Sequence, residues 1–187
     1  MARLLIHRIV AAATLAASLI GICAPAHAQN ASLARSVKAA FLFKFASYAT
    51  WPDTLFRAAD TPVRIGIAGD EALAAELRIM VATRTSGGRR VEVVSIPPEE
   101  ITRGVHIAFR VRATPEAEKD WIQDARREPI LIVTESPGGI RHGSMINFVE
   151  RDGRVRFEIG LGAAKQAGIT LSSRLLSVAF AVETRSP

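Results

Sequence analysis

The sequence predicts a single three-layer α/β/α domain whose sheet is mostly parallel. Short apolar runs typical of buried strands alternate with stretches of helical length between residues 62 and 135. Such alternation implies parallel βαβ units, and their right-handed crossovers place helices on both faces of a sheet. Two further alternating runs flank an Asp-Gly dipeptide nearer the C-terminal end, which indicates an antiparallel hairpin.

The first predicted element is a helix over residues 31–50, because the stretch is rich in alanine and carries an apolar stripe at helical spacing. Proline disfavours helical backbone in the residue before it, so Trp51-Pro52 ends this helix. We interpret the stripe as core packing rather than a ligand shelf, since a stripe at this spacing normally faces the core. Its members are Val37, Phe41, Phe45 and Tyr48.

Four strands and two helices follow in alternation. Asp70 is placed to cap a helix over residues 71–81, and Thr114 with Pro115 opens another over residues 116–127. The unbroken apolar run of the fourth strand is typical of a strand covered on both faces. The four predicted strands cover residues 62–69, 89–96, 104–111 and 129–135.

The predicted hairpin consists of residues 145–149 and 155–159, and we expect the sheet to finish with it. Alternation places Arg156 and Glu158 on one face of its second strand, opposite Phe157. The simplest interpretation is an exposed ion pair, worth ~0–1 kcal/mol, that protects an edge strand from aggregation. The alternative is an interface role, because an arginine can make bidentate contacts.

Residues 1–28 have the pattern of a secretory signal peptide. Arg3 and Arg8 precede an apolar run over residues 9–22, which is shorter than the ~20 residues that a membrane-spanning helix needs. Ala26-His27-Ala28 then offers small residues at the two positions that a signal peptidase reads. We therefore expect cleavage after Ala28, transfer across the inner membrane to the periplasm, and one domain over residues 29–187.

The composition argues against several classes of function. The only cysteine, Cys23, lies in the predicted signal peptide, so no disulfide is expected after export. The net charge of +6 is not concentrated in a basic block, which argues against nucleic-acid binding. Of the four histidines, only His106 and His142 lie beyond residue 28, and they are too scattered for a zinc site. We expect no metal and no cofactor.

The best arrangement for covalent catalysis is weak. Ser136 and Ser144 flank a glycine pair with His142 nearby, but a turn between two strands explains the same glycines. The G-x-S-x-G elbow and the G-K-[ST] ending of a phosphate-binding loop are both missing from the sequence. A hydrolase that uses Ser144 and His142 is a minor alternative, and we expect that the protein is not an enzyme.

Two stretches resemble the YfiR family, also called the DUF4154 domain. Residues 36–52, SVKAAFLFKFASYATWP, match its opening pattern V-K-A-x-F-L-x-x-F followed by W-P. Residues 143–179 match its I-N-F, R-F-E-I, A-G-I and S-S-x-L-L motifs. The resemblance covers nearly the whole chain after residue 28, and its middle part matches only in strand spacing.

The resemblance implies a periplasmic negative regulator. It would repress a membrane-bound diguanylate cyclase by binding the sensor part of that enzyme, and would thereby control cyclic di-GMP and biofilm formation. The family fold is an α/β sandwich, often dimeric, so a homodimer is a further expectation. In other members the domain accompanies sensor kinases or transport genes. The alternative function is therefore a small-molecule-binding sensor module that acts with a histidine kinase or a transport system.

Two departures from the family pattern stand out. Several members sense redox state through disulfides, which this chain cannot do after export if Cys23 is removed. Gly160 stands where the family commonly has Asn, and we expect it to loosen a local cap. The input signal is therefore open, and a small-molecule ligand would be expected at the carboxyl ends of the strands.

The resemblance also suggests roles for residues at its motif positions. Arg156 and Glu158, with Arg174 as a third charge nearby in sequence, are the candidate contacts to the periplasmic domain of an inner-membrane diguanylate cyclase or sensor protein. Phe157 is expected to pack inward, and Asn147 to hydrogen-bond a loop backbone. The structural motif residues are Asn147, Phe148, Phe157, Ser172, Ser173 and Leu175, with Ser172 expected to cap the last helix.

Overall fold

The computed structural model describes residues 25–100 and 104–185, so most of the predicted signal peptide, residues 1–24, lies outside the described residues. Its helices are α1 (Pro25–Tyr48), α2 (Glu71–Val81), α3 (Pro115–Ala125), α4 (Gly139–His142), α5 (Leu161–Gln166) and α6 (Ser173–Val178). Its strands are β1 (Ala49–Thr50), β2 (Val63–Ala68), β3 (Thr85–Ser86), β4 (Arg89–Ile96), β5 (Ile107–Arg110), β6 (Leu131–Thr134), β7 (Ile146–Arg151), β8 (Arg154–Gly160), β9 (Thr170–Leu171) and β10 (Ala181–Glu183). The predicted α/β class is confirmed.

The main sheet has eight strands in the order β10-β8-β7-β6-β5-β2-β4-β3. Strands β4-β2-β5-β6-β7 are all parallel and follow the 2-1-3-4-5 order of flavodoxin-like folds. The chain moves from β2 to β4 in one direction and from β5 through β6 to β7 in the other. Right-handed crossovers therefore place α2 on one face of the sheet and α3 and α4 on the other.

Local signals in the sequence explain where the two long inner helices begin. The Asp70 side chain accepts a hydrogen bond from Leu73 N and caps α2, as predicted. Thr114 caps α3 in the same way by accepting from Ala117 N, and Pro115 occupies the first turn. Each helix buries one apolar stripe, which in α2 consists of Leu73, Ala74, Leu77 and Val81.

The aromatic stripe of α1 packs on the hairpin end of the sheet. The rings of Phe41 and Phe45 lie 5.1 and 5.2 Å from the ring of Phe157 on β8, both in edge-on arrangement. Phe148 on β7 joins them, and Phe109 on β5 extends the cluster with a ring distance of 5.9 Å to Phe148. We call these five residues the aromatic cluster. The prediction that the stripe packs in the core is confirmed for Phe41, Phe45 and Tyr48, whereas Val37 is only half-buried.

The predicted hairpin is present, but it does not finish the sheet. Asp152 and Gly153 connect β7 to β8 with φ values of 53° and 67°, and the two strands pair antiparallel. β10 then pairs in parallel with the last three residues of β8, and Phe180 N donates to Phe157 O at 2.8 Å. Only the first half of β8, from Arg154, therefore lies at an edge. β10 was not predicted because three residues are too few to show a strand period.

Two connecting segments also differ from the prediction. Residues 49–50, expected at the end of the first helix, form β1 and pair antiparallel with β9. The glycine-containing loop after β6, expected as a turn, contains the short helix α4. Gly139 is required there, since a Cβ would lie 2.5 Å from Thr134 Oγ1 and 2.6 Å from Asn147 Oδ1. Close approach of this kind leaves no periodic signal in the sequence.

The aromatic cluster predicts a large difference between two Phe→Ala substitutions. Phe45→Ala should lower the free energy of unfolding by about 3–5 kcal/mol, because it removes a fully buried ring. Phe180→Ala is the matched control: its ring is 50% exposed, and the loss should be about 1 kcal/mol or less. Urea unfolding followed by tryptophan fluorescence measures both values. Equal losses would contradict the assignment of the cluster as the core.

Candidate functional site

The charged motif residues lie on one face of the β7–β8 hairpin. The register pairs Asn147 with Glu158 and Val149 with Arg156. Because side chains alternate along a strand, these four residues share the face opposite the aromatic cluster. We call the surface formed by Asn147, Val149, Arg151, Arg154, Arg156 and Glu158 the hairpin face.

The two central charges of the hairpin face do not pair with each other as the sequence suggested. Glu158 is half-buried, and its Oε1 lies 3.7 Å from Nη2 of Arg151 on β7. The guanidinium of Arg151 also lies over the ring of Phe180, just before β10, at 5.2 Å from the ring centre, which holds it on the side of Glu158. Arg156 is exposed, and within residues 25–100 and 104–185 no hydrogen bond or ion pair engages its guanidinium.

A cavity of about 530 Å³ opens beside the hairpin face. It lies at the carboxyl ends of β5 and β6, the edge at which folds of this type bind ligands. Charges of both signs line it, so it suits a polar group better than an apolar one. Its charged lining residues are Arg112, Glu135, Arg141, Glu150, Arg151, Glu158 and Glu183.

The switch point of the sheet, between β2 and β5, is closed at the same edge. A Cβ on Gly69, just after β2, would lie 2.6 Å from Cγ1 of Val111, just after β5. The side chain of Val111 therefore packs directly on the Gly69 backbone. The cavity lies further along the sheet, next to β6 and the hairpin.

Asn147 anchors the loop that lines this cavity. Its side chain is fully buried; Nδ2 donates to Ser136 O at 3.1 Å, and Oδ1 accepts from Ser136 N at 3.1 Å. Thr134 Oγ1 donates to the same Oδ1 at 3.0 Å. The two bonds between Asn147 and the Ser136 backbone hold the loop after β6 against β7, as expected from the sequence.

The candidate nucleophile and its candidate base point to other partners. Ser144 is fully buried, and its Oγ lies 2.7 Å from Thr134 Oγ1. His142 Nδ1 lies 2.8 Å from Oε1 of Glu118, a buried residue of α3. Covalent catalysis needs a nucleophile within reach of its base and of a substrate, and this buried hydroxyl has neither.

The remaining motif residues lie near the C-terminal end of the described chain. Ser172 is the N-cap of α6, where its Oγ accepts from the backbone N of the buried Leu175 at 3.3 Å. Ser173 begins the helix and is exposed. Arg174 is also exposed on α6, and among the described residues no hydrogen bond or ion pair joins its guanidinium to the hairpin face.

Gly160 is the N-cap residue of α5 and provides no side-chain hydrogen bond there, in line with the expected loss of a cap. A Cβ at this position would lie 2.7 Å from the carbonyl oxygen of Ser144. The glycine thus allows two backbone segments to approach closely, at the cost of the cap that a polar side chain would supply.

A polar cluster that the sequence did not indicate lies at the amino-terminal edge of β2 and β5. His106 is buried there, with its ring stacked on Phe56 at 4.8 Å and its Nδ1 accepting from Arg64 N at 3.1 Å. Burial, and the nearby charges of Arg64 and Arg89, lower the pKa of His106 to about 4. A single histidine before a strand gives no signal of this arrangement.

The hydrogen bonds between Asn147 and Ser136 lead to a prediction about stability. Asn147→Ala should lower the free energy of unfolding by about 1–3 kcal/mol, since the buried backbone N–H of Ser136 loses its acceptor, while Ser136 O keeps its bond from Gly139 N. Glu150→Ala, on the exposed end of the same strand, is the control and should change stability by about 0.5 kcal/mol or less. Urea titration measures the free energy of unfolding of both variants. An Asn147→Ala variant as stable as the control would show that Asn147 does not hold the loop.

The lowered pKa of His106 predicts a pH dependence of stability. An ordinary histidine has a pKa of 6.5, so as pH falls the unfolded chain binds a proton before the folded protein does. The contribution of the neutral ring is complete above pH 6.5 and is lost progressively as pH falls toward 4. Wild-type stability should therefore decline more steeply across this window than that of His106→Asn. Parallel declines, measured by urea unfolding at several pH values, would show that the folded protein protonates normally.

No group of three or more His, Cys, Asp or Glu residues in 25–100 and 104–185 could hold a metal ion. In the same residues, no helix has both the length and the apolar character needed to cross a membrane.

Comparison with known proteins gives structural neighbours and a family. A conserved domain protein from Vibrio cholerae O1 biovar El Tor is similar in fold, with a TM-score of 0.50 and 13% sequence identity. The match covers 64% of this chain and 54% of that protein, so this chain spans about half of its length. No curated protein matches the sequence. The profile of the YfiR/HmsC-like domain, DUF4154, matches residues 35–180. Since this match includes the hairpin face and most of the sheet, the chain belongs to the YfiR/HmsC-like family.

Proposed function

We propose that this chain is a periplasmic regulatory protein that represses a membrane-bound diguanylate cyclase by binding the periplasmic sensor part of that enzyme. Family membership supports the proposal, because the YfiR/HmsC-like domain fits a periplasmic regulator of a diguanylate cyclase. A regulator of this kind acts by contact alone. The full burial of Ser144 agrees with that mode of action.

The observation that carries the proposal is the uncommitted arginine of the hairpin face. The guanidinium of Arg156 is exposed on a rigid strand and, within the described residues, engages no acceptor. Arginine is enriched in protein interfaces because its planar group can bind a carboxylate with two parallel hydrogen bonds. Glu158 lies two residues away on the same face, so the hairpin face offers both signs of charge to a partner.

The backbone beside this arginine is also available to a partner. β10 covers only the last three residues of β8, and the outer edge of the strand around Arg156 has no neighbouring strand among the described residues. An open strand edge presents unpaired N–H and C=O groups that another chain can extend by strand addition. Side-chain and backbone contacts would then act together at one place.

A double charge reversal tests the role of the hairpin face. Arg156→Glu with Glu158→Arg keeps the net charge and should weaken binding to the periplasmic sensor part about tenfold or more, because like charges then face each other across the interface. Cells that carry this variant should have raised cyclic di-GMP. Binding is measured with the purified proteins, and cyclic di-GMP by mass spectrometry of cell extracts.

The control is a double reversal elsewhere on the surface, Arg90→Glu with Glu99→Arg, at two exposed positions far from the hairpin in the sequence. It should bind and repress like the wild type. Circular dichroism and a thermal melt verify that both variants fold. If the hairpin variant binds like the control, the docking surface is assigned wrongly. If deletion of the whole gene leaves cyclic di-GMP unchanged while the cyclase is expressed, the proposed function itself fails.

A further inference from the structure

A second cavity, of about 520 Å³, lies at the amino-terminal edge of the sheet and has no role in the proposed docking surface. It is formed by the loop after α1, the starts of β2 and β5, and Glu128 before β6. Its size falls within the range of about 300–1,000 Å³ that is typical of small-molecule sites. Its polar lining consists of Thr54, Arg57, Thr61, Arg64, His106 and Glu128.

The loop that walls this cavity is firmly held. Nη1 of Arg89 donates to the carbonyl oxygens of Ala58, Ala59 and Thr61 at 3.0, 2.7 and 3.0 Å. The same guanidinium lies 4.2 Å from the centre of the Phe56 ring, whose other neighbour is the imidazole of His106. One arginine therefore holds both the backbone of this loop and the Phe56 ring on which His106 stacks.

His106 lines this cavity and has a buried ring nitrogen without a partner among the described residues. Its Nδ1 accepts from Arg64 N and carries no proton, so the neutral ring must carry its proton on Nε2. The residue is 4% exposed, and Nε2 has no hydrogen-bond partner among the described residues. A buried N–H without an acceptor costs about 1–3 kcal/mol, so a built site for an acceptor is the natural explanation.

Two guanidinium groups line the cavity beside this donor. Arg57 is exposed and has no hydrogen bond or ion pair among the described residues. Arg64 pairs through Nε with Glu92 at 3.1 Å, while its Nη1 would lie 3.8 Å from a Cβ on the cavity residue Gly104. The positive field of Arg64 and Arg89 is also one reason why His106 stays neutral. Glu128 is the acidic residue among the described residues that line the cavity.

We propose that this cavity binds a small organic oxyanion, with Arg57 and Arg64 contacting its phosphate or carboxylate oxygens and His106 Nε2–H donating to one of its acceptors. Guanidinium groups bind both kinds of oxyanion through charge-assisted hydrogen bonds. The volume leaves room for an organic group besides the charged one. The site is distinct from the hairpin face, since none of the described residues lines both cavities.

The experiment titrates the purified protein with three probes: inorganic phosphate, glycerol 3-phosphate and citrate, with glycerol as the uncharged control. Heteronuclear NMR follows the imidazole resonances of His106, and calorimetry gives the dissociation constants. Binding should shift those resonances, and Arg57→Gln or Arg64→Gln should each weaken it about tenfold or more. Arg90→Gln removes an exposed arginine outside the cavity and should leave binding unchanged.

The three probes separate the sources of the anion, because a phosphate site prefers glycerol 3-phosphate and a carboxylate site prefers citrate. His106→Asn keeps an acceptor for Arg64 N and removes the Nε2–H donor, so it should also weaken binding. If this variant fails to fold, the two arginine variants decide. The proposal is overturned if no probe binds at millimolar concentration, or if Arg90→Gln weakens binding as much as Arg57→Gln does.

Discussion

The contact between α1 and the β7–β8 hairpin is the constraint on which the rest of the structure depends. Phe41 and Phe45 of the helix meet Phe148 and Phe157 of the hairpin, and Phe109 links this group to the centre of the sheet. The helix is far from the hairpin in sequence, so one group of rings joins two distant segments of the chain. Edge-on aromatic pairs add orientation to apolar burial, which fixes the angle at which the helix crosses the strands.

This constraint also determines which side of the hairpin is available to partners. Side chains alternate along a strand, so the burial of Phe148 and Phe157 forces Asn147, Arg156 and Glu158 to the opposite face. The buried Asn147 then ties the loop after β6 to that face, while Arg156 stays free at its outer end. Core packing and a charged exterior are thus two results of a single strand register.

The sequence predicted those parts of the fold that local chemistry determines. Asp70 and Thr114 mark helix starts through their caps, and Asp152-Gly153 marks the hairpin through its positive φ values. Parts that depend on distant contacts were missed. β10 is a strand only because β8 offers it an edge, and α4 exists because Gly139 fits against Thr134 and Asn147.

The candidate site shows the same contrast between features that local sequence determines and features that depend on distant contacts. Alternation gave the common face of Arg156 and Glu158, but the choice of Arg151 as the partner of Glu158 depends on how the strands twist and where β10 lies. The cluster around His106 left no trace in the sequence, because Phe56, Arg64 and Arg89 come from three separate segments. Tertiary placement, and not residue type, makes that histidine a neutral donor.

The shortness of β10 has a consequence for the dynamics of the sheet edge. Its three residues are all exposed, so few apolar contacts are lost when the strand detaches. Detachment of β10 would leave the second half of β8 without a neighbour, so that the outer edge of β8 would be unpaired along its whole length. A partner chain that forms the same hydrogen bonds would displace β10 instead of docking beside it. In that case β10 protects the edge of β8 only until the partner binds.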